Sequence, residues 1–308
     1  MTSSRSAILV VTSLVSRGSV GGRGAVFALE RLGHPVWFVP TILLPWHPGQ
    51  GRGTRIVPPA ADFEALIEDL IASPKLNEIG AILTGYFASL EAVAATARLV
   101  KAVKAVRPDA LYLCDPVLGD IKPDGSGGLY IAEATALAIR DALLPHADIL
   151  TPNRFELGWL TGEQVTTTAE AIAAARKLGV STTVVTSAPA MMAQSIATLF
   201  VNQTEAIQAE HPLIERAPNG TGDLFSAIFL AEILASGSPR RALERASATV
   251  FDMVARSVRR GANELAIADE QAMLDQTLAS VTLRTIGAVR KPAKPASPKP
   301  APPKPTPL

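Results

Sequence analysis

Residues 7–39 read AILVVTSLVSRGSVGGRGAVFALERLGHPVWFV. The run AILVVTS at 7–13 is apolar and rich in β-branched side chains. AVFALERLG at 25–33 returns its apolar residues at three- and four-residue steps, and VWFV at 36–39 is again strand-like. Strand, helix and strand recur down the chain. Strand patterns stand at AILTG 81–85, ALYLCDPV 110–117, DILTPN 148–153 and TTVVTS 182–187, with helical patterns at 62–72, 90–106 and 169–179. This order predicts parallel strands joined by right-handed crossovers, so the expected fold class is α/β, a mostly parallel sheet with helices on both faces. From 195 the texture changes. SIATLFVNQTEAIQAEHP alternates apolar and polar residues around Asn202, Gln203 and Thr204, which predicts an antiparallel hairpin at a sheet edge. Helices are expected from there to about residue 283.

Composition bounds the function classes. Of 308 residues, 48% are apolar and 19% charged, which excludes disorder over the whole length. The stretch Arg290 to Leu308 holds 8 of the 24 Pro and 5 of the 29 Lys+Arg, with no acid. That stretch is expected to be an extended, solvated tail after a single domain at 1–289. Without it the chain carries 24 basic and 28 acidic residues, a net of −4, so no basic excess points to nucleic acid. A single Cys, Cys114, excludes an internal disulfide, and MTSSRSAILVV lacks the plan of a signal peptide; the expected setting is the cytoplasm. The apolar run LFSAIFLAEILA is far shorter than the roughly 20 residues that cross a bilayer, and is expected to be a buried helix. Cys114, inside a strand pattern, reads as a small hydrophobe, and His34, His146 and His211, each beside Pro or at an element end, read as structural.

In α/β sheets ligands gather beyond the carboxyl ends of the strands, which directs attention to the residues there. After the first strand, Gly18, Gly21, Gly22 and Gly24 crowd one turn. A dinucleotide fold is the obvious rival, but the third Gly of G-x-G-x-x-G is missing and no acid follows the second strand to hold a ribose. The sharper pattern is APNGTGDLFSAIFLAEILASG at 217–237. Gly220, Thr221 and Gly222 lead into a helix, where unpaired N–H groups converge on an anion, and Asp223 falls in its first turn, where the dipole favours its ionised form. An anion hole beside a carboxylate suits phosphoryl transfer to an alcohol: the donors hold the migrating group while the carboxylate positions the hydroxyl and takes its proton. Asp115 in CDPVLGD and Glu156 in TPNRFE, with Asn153 between them, supply hard oxygen ligands for the Mg²⁺ that ATP chemistry requires.

These residues in this order resemble the pyridoxal kinases of the ribokinase-like superfamily. The resemblance rests on S-x-V-x-R-G-x-V-G-x-R from Ser13 to Arg23, TGY at 84–86, CDPVLGD at 114–120, TPNRFE at 151–156, VVTS at 184–187 and GTGD at 220–223, and runs from about residue 7 to about 260. It implies a three-layer sandwich and a homodimer, with ATP as phosphoryl donor, Mg²⁺, and a monovalent cation such as K⁺ as a further candidate. The implied reaction is phosphorylation of the 5′-hydroxymethyl group of pyridoxal, with pyridoxine and pyridoxamine as further vitamers. Asp223 would be the base and Gly220 to Gly222 the hole for the γ-phosphate. Asp115 and Glu156 would act around Mg²⁺ and the phosphates, with Asn153, Thr186 and Ser187 on the nucleotide side. Ser13 would face the pyridine nitrogen, Tyr86 would pack on the ring, and His47 would line the substrate end. The segment 120–130, DIKPDGSGGLY, matches the family's glycine-rich lid, expected to have hinges and no regular element.

The chain departs from the family at the substrate end. Leu14 stands where many members have His, and LPWHPGQ at 44–50 replaces a polar stretch, keeping His47 but placing Pro48 after it. Pro48 supplies neither a hydroxyl nor a backbone donor, and Trp46 offers a flat surface either to stack on an aromatic ring or to cover apolar core. Two alternatives therefore stand beside the pyridoxal reading: a same-fold kinase of another heterocyclic alcohol such as hydroxymethylpyrimidine, and a vitamer or nucleotide binder without turnover.

Overall fold

A computed structural model describes residues 5–121 and 126–286; the tail expected at 290–308 lies outside them. Nine strands form one sheet in the order β11-β10-β9-β8-β7-β4-β3-β1-β2. They are β1 (Ala7–Val15), β2 (Val36–Leu44), β3 (Ile79–Thr84), β4 (Leu111–Cys114), β7 (Ile149–Leu150), β8 (Thr182–Ala188), β9 (Ser195–Val201), β10 (Ala206–Pro212) and β11 (Thr282–Thr285). From β2 to β8 every pairing is parallel; β8 to β11 pair antiparallel. A separate two-stranded ribbon, β5 (Gly119–Ile121) with β6 (Gly127–Leu129), stands beside the sheet.

The helices are α1 (Gly22–Arg31), α2 (Ala60–Ile71), α3 (Leu90–Val106), α4 (Glu133–Ala138), α5 (Arg154–Thr161), α6 (Thr168–Lys177), α7 (Thr221–Ser236), α8 (Pro239–Arg259) and α9 (Ala272–Asp275). Their layering follows from the two-residue alternation of the buried strands. Ile8 and Val10 of β1 face the core shared with α1, α7 and α8, while Leu9 and Val11 face the core shared with α2 and α3. Caps set the helix starts: Ser89 and Ser238 accept from the amides of Ala92 and Arg241, and Thr167 with Glu170 forms a capping box on α6. The apolar run expected to be a buried helix is α7, buried from Leu224 to Glu232. Among the described residues no helix is long and apolar enough to cross a membrane.

Two expectations are corrected here. The hairpin at 195–212 forms within the antiparallel edge of the sheet, with Asn202 Oδ1 accepting from the amides of Thr204 and Glu205 at its turn and β11 as the outermost strand. Helices do not run to 283: after α9 the chain returns as β11, whose Thr282 to Thr285 pair with Glu210 to Ile207. A sheet edge left at β10 would expose a row of unpaired backbone groups, and a four-residue segment with Thr at both ends is enough to cover it. Pro152 and the cap residue Asn153 cut the strand expected at 148–153 to Ile149–Leu150.

The first crossover is built on close approach. A Cβ added at Gly24 would lie 2.4 Å from the Ser19 carbonyl oxygen, so the turn 18–21 folds directly onto the start of α1. Helix propensity alone makes Gly24→Ala stabilising by about 1 kcal/mol. Backbone crowding reverses that sign, and urea unfolding of Gly24→Ala is expected to show a loss of about 1–3 kcal/mol, as for other overpacked positions.

Candidate active site

The carboxyl ends of the parallel strands open into a cavity of about 720 Å³. Ser13, His47, Tyr86, Asp115, Asn153, Glu156, Thr186, Ser187, Gly220, Thr221, Gly222 and Asp223 all line it, so residues spread over the whole chain meet in one space. The organising contact joins the first crossover to α7. Gly21, at φ 57, donates its N–H to Asp223 Oδ2 at 2.8 Å. Gly220, at φ 94, caps α7 in the left-handed conformation, and a Cβ there would meet the Ser19 carbonyl at 2.8 Å. A Cβ on Gly21 would lie 2.3 Å from Ser13 Oγ. Both glycines are therefore demanded by conformation and by space. Leu224 N bonds back to Gly220 O at 3.1 Å, and the amides ahead of it point out of the helix end, as an anion hole requires.

Burial changes the acid chemistry of this space. Asp223 is pushed up to about 6, with the Gly21 N–H opposing the shift, so burial outweighs the helix dipole that alone favours the ionised form. Burial pushes Asp115 well up as well, reinforced by the charges of Glu156 and Asp223; the Ser226 hydroxyl, donating to Oδ2 at 2.9 Å, and the Val117 amide oppose it. Ser226 is itself linked to Thr151 at 2.9 Å. Glu156 is pushed up to about 7 by burial.

Asn153 and Glu156 do more structural work than their sequence positions suggest. They form the capping box of α5: Asn153 Oδ1 accepts from Glu156 N at 2.9 Å and Glu156 Oε2 accepts from Asn153 N at 2.8 Å. Glu156 Oε1 accepts from Leu118 N at 2.7 Å, and Asn153 Nδ2 donates to Gly119 O at 2.7 Å. Both carboxylate oxygens of Glu156 are thus engaged by backbone amides. Among the described residues no three acidic, His or Cys side chains form a ready metal cluster. Mg²⁺ still fits, since it commonly takes one or two carboxylates and completes its shell with water and ligand phosphates. Asp115, buried among like charges, is the side chain best placed to contact it directly.

At the substrate end, Ser13 and Val15 face the cavity and Leu14 does not; strand alternation turns Leu14 toward a separate pocket beside α1, so the departure at 14 leaves the cavity wall unchanged. His47 Nδ1 accepts from Gly49 N at 3.1 Å, which leaves the ring proton on Nε2, and burial lowers its pKa. Trp46 does not line the cavity, and its indole N–H donates to Gly51 O at 3.2 Å, which leaves the stacking alternative without a place. Glu264 ties the region together, accepting from Arg17 Nη1 at 2.9 Å and Gln50 Nε2 at 2.7 Å. Thr186 and Ser187 also border a smaller pocket walled by Phe225, Val250, Phe251 and His211, whose ring lies 4.6 Å from that of Phe251. Two non-glycine residues of the cavity wall, Val117 at φ 43 and Ser187 at φ 51, hold the left-handed conformation, the kind of strain that collects at working sites.

The segment at 120–130 differs from its expectation. Its described ends are the paired strands β5 and β6, packed on Phe155, while residues 122–125 lie outside the described residues. Cys114 is buried and its thiol is pushed up to about 12, in keeping with a hydrophobe. Sequence reading missed Arg55, Tyr130 and the Gly21 amide as parts of the site. Arg55 sits outside every motif, and a backbone donor leaves no mark beyond its glycine.

Comparison with known proteins agrees with this geometry. The phosphomethylpyrimidine kinase family model matches residues 60–268. The chain is 35% identical to a pyridoxal kinase, PdxY, of Corynebacterium diphtheriae over 269 residues, covering 86% of this chain and 94% of the relative. It is 39% identical over 248 residues to a pyridoxine/pyridoxal/pyridoxamine kinase of Bordetella avium, covering 78% and 81%. The pyridoxal kinase of Leishmania donovani in complex with ADP and pyridoxamine superposes with a TM-score of 0.84 at 28% identity, covering 92% of this chain and all of that one.

The raised carboxylates carry a stability prediction. Asp115 is protonated in folded and unfolded chains alike only below about pH 4; as pH rises from there toward its elevated folded value, only the unfolded chain ionises freely, and folding loses stability. Ligand-free Asp115→Asn is therefore expected to melt about 2–6 °C above the wild type at pH 8, with the gap narrowing as the pH falls and closing only below about pH 4, by calorimetry.

Proposed function

The chain belongs to the pyridoxal kinase family, and from that premise we propose that it transfers the γ-phosphoryl group of ATP to the 5′-hydroxymethyl group of pyridoxal, and of pyridoxine and pyridoxamine. The observation that carries this reading is Asp223: a half-buried carboxylate at the start of α7, fixed by the Gly21 amide, beside free helix-end N–H groups. In the reaction Asp223 accepts the hydroxyl proton as the alcohol oxygen attacks the γ-phosphorus. The amides of Gly220, Thr221 and Gly222 hold the phosphoryl oxygens as the bond to ADP breaks. A pKa of about 6 leaves Asp223 ionised at neutral pH yet more basic than an ordinary carboxylate. Most of the rate comes from alignment and charge neutralisation.

Mg²⁺, when bound, neutralises phosphate charge; Asp115 would hold it, with Glu156 bracing the Leu118–Gly119 backbone alongside. Thr186 and Ser187 serve the nucleotide side, with Asn153 positioning that wall. Ser13 and His47 offer polar groups to the pyridine ring, and Tyr86 packs on its face. K⁺ is a further candidate on the nucleotide side. We read 1–289 as one kinase domain followed by the Pro- and Lys-rich stretch 290–308. A homodimer is taken from the resemblance, and a cytoplasmic setting from the lone Cys. The description of the family model favours one second reading, a kinase of a hydroxymethylpyrimidine.

A coupled ADP-release assay with product analysis separates these readings. Pyridoxal is expected to be phosphorylated with a higher kcat/KM than hydroxymethylpyrimidine; the reverse order would move the substrate. Asp223→Asn is expected to lower kcat by at least about 10²-fold while ATP affinity changes by less than about threefold, and near-normal turnover in that variant would remove Asp223 from the mechanism.

A further inference from the structure

Arg55 is the only Lys or Arg among the described residues that line the principal cavity, and the mechanism above gives it no task. It stands on the exposed segment between β2 and α2, yet its backbone is not loose. The neighbouring Ile56 forms a bridge to Leu43 with hydrogen bonds in both directions, Leu43 N to Ile56 O at 2.8 Å and Ile56 N to Leu43 O at 3.0 Å. The one side-chain hydrogen bond of Arg55 among the described residues runs from Nη2 to Tyr86 Oη at 2.9 Å. Tyr86 is anchored too: its N–H donates to Thr12 Oγ1 at 3.0 Å, and its carbonyl accepts from Thr41 Oγ1 at 2.6 Å.

The direction of that hydrogen bond determines what the pair can recognise. A guanidinium has donors only, so the phenol oxygen of Tyr86 is the acceptor, and the Tyr86 proton is left to point elsewhere. The pair therefore presents the remaining Arg55 N–H groups and the Tyr86 O–H, all donors, with a positive charge behind them. Such a group binds an acceptor, and an oxyanion best. It disfavours a substrate whose ring carries an amine at that edge, because donors would face donors and one set would be left unpaired.

We propose that Arg55, acting with Tyr86, is a specificity-determining residue that selects substrates bearing an ionised ring hydroxyl. This rests on the pyridoxal reading above, in which Tyr86 packs on the ring. The two alternatives of that reading differ in this group: the pyridoxal vitamers carry a ring hydroxyl, which hydroxymethylpyrimidine lacks.

The test compares pyridoxal, the pyridoxal analogue without the ring hydroxyl, and hydroxymethylpyrimidine, in wild type, Arg55→Ala, Arg55→Lys and Tyr86→Phe. Turnover is measured together with calorimetric binding of pyridoxal in the absence of ATP. Wild type is expected to prefer pyridoxal over the deoxy analogue by about 10- to 100-fold in kcat/KM, the span of a charge-assisted hydrogen bond. Arg55→Ala should lose most of that preference through KM, weaken pyridoxal binding to the same degree, change kcat by less than about threefold, and leave the deoxy analogue unaffected. Arg55→Lys should recover part of the preference, and Tyr86→Phe should lose part of it. An Arg55→Ala enzyme that keeps the full preference overturns the proposal while pyridoxal phosphorylation stands. Wild-type turnover of hydroxymethylpyrimidine without turnover of pyridoxal removes the reading it rests on, and the proposal with it.

Discussion

Three carboxylates, the buried Asp115 and Glu156 and the half-buried Asp223, gather at the carboxyl edge of one parallel sheet, and each is pushed up from its ordinary range. Removing ionised groups from water is costly, and placing like charges near one another adds to the cost. The fold meets part of that cost with its own backbone. Gly21 donates to Asp223, Leu118, Gly119 and Asn153 donate to Glu156, and Ser226 donates to Asp115. In the proposed reaction, a cation arriving with the phosphates would relieve the remainder.

Those donors explain why the chain needs glycine where it does. The turn at 18–21 and the start of α7 are separated by some two hundred residues, yet they touch backbone to backbone through Ser19, Gly21 and Gly220. The first crossover and the penultimate long helix thus form one wall, and Glu264 ties Arg17 and Gln50 to it from the C-terminal side. Fold and site share this wall. A side chain added in the turn would move the base.

Much of this was legible in the sequence. Continuous apolar strands, three- and four-residue periodicity and the motif GTGD are local signals, and they located the parallel sheet, α7 and the acidic strand ends. What stayed hidden depends on contacts between distant segments. TLRT at 282–285 is too short to declare itself a strand until β10 offers it an edge. Glu156 reads as a metal ligand because sequence cannot show that both its oxygens are taken by amides. Leu14 reads as a substrate-side change because one residue of strand register decides whether it faces the cavity or α1. Arg55 belongs to no motif, and only the Leu43–Ile56 bridge brings it to Tyr86.

The claim on which the rest depends is that burial tunes the catalytic carboxylate. The direct measurement is a carbon-13 NMR titration of the Asp223 carboxyl in the ligand-free protein, assigned by comparison with Asp223→Asn. The account expects a midpoint of about 6. A midpoint near 4, the value of a solvated aspartate, would contradict it, because Asp223 would then sit in water and not in the closed wall between Gly21 and α7.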